Sequence, residues 1–490
     1  MSVHERWRCF QRLLPHVVGL LTLLVVASPH AALPRAIGRA FLDAGVPLNA
    51  VAVVVQDVGS VRPLFAQQAT RAMNPASVMK LVTTFAALDT LGAQYRWRTE
   101  AYLDGPLDNG VLKGNLVLKG YGDPKITVEQ WQALIATLRS RGLQRIDGDL
   151  LLDRTYFAVP AHHPAAFDGA PLKPYNVGAD ALLVNFKSVH FIFAPDTTGT
   201  AVLVGVDPPL PSVHIASMPT LGTGRCDDWR SSVTATFDDR HSDADVAFAG
   251  SYPASCGERS WWVALLGAPD YVHAMFTTYF RAAGGTFGGG WRSGVAPDGT
   301  RPFAVLESPP LYDIVRDVNK LSNNVMAQQM FLTLAITAGP PPATPAGAAA
   351  AIQRWLRERK LAMPELVIDN GSGLSRTGRI SAGSLARLLV AAHRSAVGDE
   401  FATSLAVAGT DGTVERRFQS GSVLGQALLK TGSLEGVRAL AGYVLDAGGR
   451  RFVVVALINH PQAARGQPAL DFLVQWVYRN GANWSEAAPH

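Results

Sequence analysis

Six residues capable of chemistry fall into three short patterns: Ser77-Val-Met-Lys80, Ser322-Asn323-Asn324 and Lys430-Thr431-Gly432. Singly each is weak. S-x-x-K occurs about once by chance in a chain this long and ordinarily marks a helix start with a solvated lysine. Together, and in this order, they describe acyl transfer to a serine. Ser77 opens a helical stretch, where its hydroxyl and amide meet the positive end of the helix dipole. Lys80 follows one turn later on the same face, within reach of that hydroxyl. A serine needs a base, and a lysine serves when burial or a second cation, here Lys430, lowers its pKa. Ser322 is suited to relay a proton to the leaving group. Lys430 and Thr431 suit a substrate carboxylate, and the backbone amides of Ser77 and Ser433 suit an oxyanion.

The elements around these residues can be read from pattern. Asn49–Val58 is a β-branched run, predicting a buried strand. Ser77–Leu91 is apolar at helical spacing and closes at Gly92. From residue 96 to 302 short strand-like runs such as Gly114–Lys119 alternate with Gly, Pro and Asp turns, predicting a β-rich insert. Long helices return at Leu311–Asn319 and Val325–Thr337, with the second pattern between them. A Pro-rich loop at 339–347 precedes a helix over Ala348–Arg359. Val437–Leu445 and Arg451–Asn459 predict an antiparallel hairpin, and Asp471–Tyr478 a terminal helix.

Composition narrows the class. The chain has 490 residues, 48% hydrophobic and 17% charged, which fits a globular protein of two or three domains. Arg6, Arg8 and Arg12 precede an apolar run from Leu13 to Ala27 and then small residues, the pattern of a secretory signal over residues 1–32. The run is short for a membrane span, although an anchor is the alternative. Cys9 precedes the apolar run, which argues against a lipoprotein anchor. Removing the signal lowers the formal net charge of +5 by two, too little to argue for nucleic-acid binding. It also leaves Cys226 and Cys256, which in an oxidising compartment predict one disulfide, with two buried thiols as the alternative. No third and fourth ligand stand at metal spacing, so neither metal nor cofactor is expected.

The three patterns resemble the active-site signature of the penicillin-binding proteins and serine β-lactamases. Asn74-Pro-Ala-Ser-Val-Met-Lys80, Gly120-Tyr-Gly-Asp-Pro124, Val318-Asn-Lys-Leu-Ser-Asn-Asn324, Asp369-Asn-Gly-Ser-Gly-Leu-Ser375 and Gly409-Thr-Asp-Gly-Thr413 extend the likeness across nearly the whole chain. They are similar to segments of the low-molecular-mass class C penicillin-binding proteins, the D-Ala-D-Ala carboxypeptidase/endopeptidase family. The resemblance implies an α/β transpeptidase-like domain, an antiparallel sheet flanked by helices, formed by 33–95 and 303–490. The insert at 96–302 would then hold two nested subdomains. It implies Ser77 as nucleophile, Lys80 as base, Ser322 as relay, and Asn324, Lys430, Thr431 and Ser433 as substrate contacts. It further implies peptidoglycan stem peptides as substrate, β-lactams as inhibitors, and a periplasmic enzyme with no anchor after signal cleavage, resting at most loosely on the membrane. Family members that cut beside diaminopimelate hold its free end with an acidic residue of the insert. Asp180 is the acidic residue considered for that role, with an ordinary turn residue as the alternative.

Other nucleophile systems are not represented. There is no G-x-S-x-G, H-E-x-x-H or G-x-x-x-x-G-K-[S/T] pattern, and His162-His163 lies in a Pro-rich loop. The remaining alternatives are a β-lactamase, against which length and the large insert speak, and a non-catalytic wall-binding or β-lactam-sensing protein on the same fold.

Overall fold

A computed structural model describes residues 32–419 and 421–484. Six strands form an antiparallel sheet in the spatial order Phe65–Gln67, Val51–Asp57, Arg451–Asn459, Val437–Leu445, Ala427–Leu434 and Ala406–Val407. Its central strands are near-continuous apolar runs because both faces are covered. Val51, Val53 and Val55 pack with Ile37, Phe41 and Leu473 on one side. Ala52 and Val54 join Val82, Phe85, Leu385 and Leu389 on the other. The helices Arg35–Asp43 and Gln467–Trp484 therefore cover one face, and Lys80–Leu91 and Ala382–His393 the other. All three sequence patterns come from this helix-flanked sheet or its near neighbours.

The intervening segment is less purely β than its turn-rich sequence predicts. Asn115–Gly120 pairs in parallel with Leu150–Asp153, and a parallel pair requires a crossover. The helix Val128–Ser140 supplies it, opened by a capping box between Thr127 and Gln130. A second helix, Ala268–Ala282, precedes Trp291–Ser293, which pairs in parallel on the other side of Leu150–Asp153. Both helices bury an apolar stripe, Trp131, Leu134, Ile135 and Leu138 in the first, and each stands between short strands and turns. Ala304–Glu307 pairs with Arg98–Asp104, so by pairing this sheet extends past residue 302. Between the two helices, strands from Val189–Pro195 to Arg259–Val263 build two further small sheets. Cys226 and Cys256 form a disulfide there, with Cα atoms 4.9 Å apart.

Element ends shift by a few residues from the sequence reading. The helix before the second pattern runs Leu311–Leu321, and the terminal helix starts at Gln467. The two hairpin strands keep their expected bounds. No helix among the described residues is long and apolar enough to cross a membrane. The basic and apolar N-terminal pattern, with Cys9, lies outside the described residues.

Candidate active site

The turn that carries Ser77 is fixed from outside the helix that follows it. Ser77 lies in the short 3-10 turn Ala76–Met79, which runs into the helix Lys80–Leu91. Asn74 ties the turn at both ends. Its side-chain amide donates to the Ser375 carbonyl at 2.8 Å, and its Oδ1 accepts from the Ala76 amide at 2.9 Å. Asn459, at the end of the last strand, exchanges two hydrogen bonds with the Asn74 backbone at 2.8 and 2.9 Å. These bonds hold Ala76 at a φ of +48°, a conformation that costs a β-carbon-bearing residue about 1–2 kcal/mol. The glycine of the third pattern has its own reason. A Cβ on Gly432 would lie 2.5 Å from the Pro75 carbonyl, so only glycine lets the strand Ala427–Leu434 approach the serine turn this closely.

Lys80 is fully buried and donates to three neutral oxygens: Ser77 Oγ at 3.0 Å, Asn324 Oδ1 at 2.7 Å and the Ser372 carbonyl at 2.7 Å. Burial, and then the nearby Lys430 charge, hold its pKa well below the ordinary lysine value. Lys430 is also fully buried, donating to Ser322 Oγ at 2.8 Å and to the Thr431 carbonyl at 3.0 Å. Desolvation brings its pKa down to about 7. Ser322 caps the helix Leu311–Leu321 in the left-handed conformation, φ +60°, which turns its hydroxyl back toward Lys430. Asn324 starts the next helix, N-capped by Asn323. The three patterns thus meet in two neighbouring hydrogen-bonded sets, one around Lys80 and one around Lys430, with Ser322 and Asn324 of the second pattern divided between them.

Ser77, Ser322, Asn324 and Ser433 line a cleft of about 390 Å³, with Phe167, Asp168 and Tyr175 from the insert on the facing wall and Arg376 and Glu435 at its side. Thr431 donates its hydroxyl to Thr413 at 2.8 Å, a partner that the Gly409–Thr413 segment contributes. Asp180 is not among the cleft residues. It is buried and ion-paired with Arg154, its Oδ1 accepts from the Leu182 amide, and its backbone is gripped by Gln329. The exposed insert carboxylate in the cleft wall is Asp168, which sequence reading passed over. Burial works against its ionisation. Hydrogen bonds from Tyr175 and Asn176, then the Ala170 amide and the charge of Arg376, outweigh that and hold its carboxyl below the usual range. The Ser372 carbonyl was also missed, because a backbone acceptor leaves no mark in residue type. Its segment, Asp369–Ser375, was the available signal.

Comparisons with known proteins agree with one another. A family model described as D-Ala-D-Ala carboxypeptidase 3 (S13) matches residues 34–479. The D-alanyl-D-alanine carboxypeptidase DacB of Haemophilus influenzae is 24% identical over 390 residues, covering 79% of this chain and 80% of its own. A D-alanyl-D-alanine carboxypeptidase of an Actinomadura species is 27% identical over 413 residues, covering 80% and 74%. The crystal structure of penicillin binding protein 4 from Haemophilus influenzae shares the fold with a TM-score of 0.73 at 22% identity, over 90% of this chain and 99% of that one. A predatory endopeptidase of Bdellovibrio bacteriovorus shares it more distantly, with a TM-score of 0.53 at 15% identity over 87% and 93%.

Proposed function

The chain belongs to the D-Ala-D-Ala carboxypeptidase 3 (S13) family of serine-type carboxypeptidases, and on that premise we propose that Ser77 carries the acyl group. The observation that supports this most is the contact of fully buried Lys80 with Ser77 Oγ, at 3.0 Å and with no carboxylate paired to the lysine among the described residues. Neutral Lys80 takes the Ser77 proton as Oγ attacks the carbonyl carbon of the penultimate D-Ala in a peptidoglycan stem peptide. The amides of Ser77 and Ser433 receive the developing oxyanion. The proton that Lys80 took passes on through Ser322 to the departing amine, so D-Ala leaves and Lys80 is neutral again. Water then attacks the ester with Lys80 again as base, returning free serine and a shortened peptide. Protonated Lys430, with Thr431 and Thr413, attracts the terminal carboxylate. A β-lactam enters by the same attack, but its leaving nitrogen stays tethered and the adduct persists.

Endopeptidase action on crosslinks is a second use of the same acyl-enzyme. Its support here is the Asp168 carboxylate in the cleft wall, suited to a cationic side-chain end of the acyl donor, a role for which Asp180 is already committed to Arg154. The strand pairings support a transpeptidase-like unit formed by both ends of the chain, with the Val189–Val263 sheets nested inside a larger insert. The disulfide and the basic-then-apolar N-terminal sequence support a periplasmic location.

The test is mass spectrometry of the purified protein after benzylpenicillin, followed by D-Ala release from a pentapeptide. An adduct on the Ser77 peptide with D-Ala release is expected. An adduct without release would leave a sensor, and an adduct on another residue would remove Ser77 from the mechanism.

A further inference from the structure

A second cavity, of about 360 Å³, lies behind the wall of the cleft. It sits between the loop carrying Val159–Phe167 and the helix Asn324–Ile336, which contributes Gln328, Phe331 and Leu332 at helical spacing. Phe167 and Leu374 line both cavities, so the two share a wall. Arg376 holds the Phe167 ring from the cleft side, its guanidinium 4.6 Å from the ring centre. The cavity is also coupled to the base. Asn370 on its wall accepts from the Ser372 amide at 3.0 Å, and the Ser372 carbonyl in turn accepts from Lys80.

The lining selects by chemistry. Val159, Phe331, Leu332 and Pro345 give an apolar surface, and no lysine or arginine is present among the described lining residues. Its single carboxylate, Asp369, already accepts from Ser375 at 2.6 Å and Thr377 at 3.1 Å. His162 contributes one ring nitrogen to the Asn176 carbonyl, at 2.5 Å. Against the apolar part of this lining an uncharged apolar group gains by leaving water. The volume is in the range of small-molecule subsites.

The geometry points to this cavity as an acyl-donor subsite for an uncharged aryl or medium-length alkyl group, entered past Phe167 from the cleft. The inference rests on the reading of Ser77 as the acylated residue. It makes the protein selective toward apolar extensions on the acylamino side of a penicillin or a peptide, independently of the carboxylate grip by Lys430.

The test uses the full-length purified enzyme and three penicillins that differ only in the side-chain amide: acetyl, phenylacetyl and octanoyl. The rate constant for acylation is expected to rise at least about tenfold from acetyl to the larger pair. Ala166→Trp, at an exposed position on the cavity wall, should bring the octanoyl-to-acetyl ratio close to one. Gln328→Trp fills the opposite wall and should do the same, which guards against a folding defect in either variant. A flat ratio in the native enzyme, or a ratio that neither variant moves, overturns the subsite alone. No acylation by any of the three overturns the reading of Ser77 and the subsite with it.

Discussion

Two groups of buried charges, three carboxylates in the insert and two lysines in the cleft, are held in opposite ways. In the insert, Asp180 faces Arg154, Asp153 lies 3.4 Å from Lys119, and Glu100 lies 3.3 Å from Arg98 while accepting from two tyrosine hydroxyls. In the cleft, Lys80 and Lys430 are as deeply buried, yet their hydrogen-bond partners are hydroxyls, an amide oxygen and backbone carbonyls. Pairing fixes an ion and favours its charged form. Burial among neutral acceptors disfavours the charge, so a lysine there gives up its proton easily. The first arrangement holds a shape; the second keeps a lysine easily deprotonated, at a cost in stability.

The largest expected effect is on chemistry. Lys80→Ala should slow acylation of Ser77 by about 10⁴-fold or more, followed as penicillin adduct formation against time. Lys80→Arg should be equally slow, because a guanidinium does not release its proton. A rate that survives either change would remove Lys80 as the base.

Next in size is a stability effect in the insert. Arg154→Ala leaves the Asp180 carboxylate buried without its cation, and should cost about 2 kcal/mol in urea unfolding. That is below the value for a fully enclosed pair, since Arg154 is 37% exposed. Turnover by the folded fraction should be retained. Loss of turnover at unchanged stability would instead return Asp180 to the active site.

The cleft predicts the reverse sign. Lys430 titrates near 7 in the folded protein and near its ordinary value, about 10.4, when unfolded. Across that window the unfolded chain holds more protons, so this lysine makes stability rise with pH. Lys430→Met should therefore be about 1–2 kcal/mol more stable than the native protein at pH 7, with the gap closing by pH 10. Equal stability at both pH values would show that the lysine is paired after all. In activity, binding of carboxylate-bearing substrates should weaken above about pH 7 as the Lys430 cation is lost. The smallest effect is at Thr413→Val, which removes one hydroxyl beside Thr431 and should raise KM by about threefold with little change in kcat. A fall in kcat alone would place Thr413 in the chemistry instead of the binding.

The same contrast explains what could be read in advance. Side-chain identity at short spacing pointed to Ser77, Lys80, Ser322, Asn324 and Lys430, and the structure brings all five together, Lys80 bonded to Ser77 and Asn324 and Lys430 to Ser322. The terminal hairpin was legible because both its strands are buried on two faces and joined by a Gly-Gly turn. The helices Val128–Ser140 and Ala268–Ala282 were obscured, since each buries one stripe and is bracketed by short strands and turns. Asp180 and Asp168 could not be told apart by type. Their difference is made by Arg154, 26 residues before Asp180, and by the loop that carries Asp168 to the cleft.

The clamp between Asn74 and Asn459 joins residues 385 positions apart. Synthesis runs from the N-terminus, so the serine turn emerges early while its last support is among the final strands made. The serine turn therefore lacks these two hydrogen bonds until the strand Arg451–Asn459 has been made. The shape of this turn is thus a property of the assembled sheet, sealed only when the strand Arg451–Asn459 lies beside Val51–Asp57.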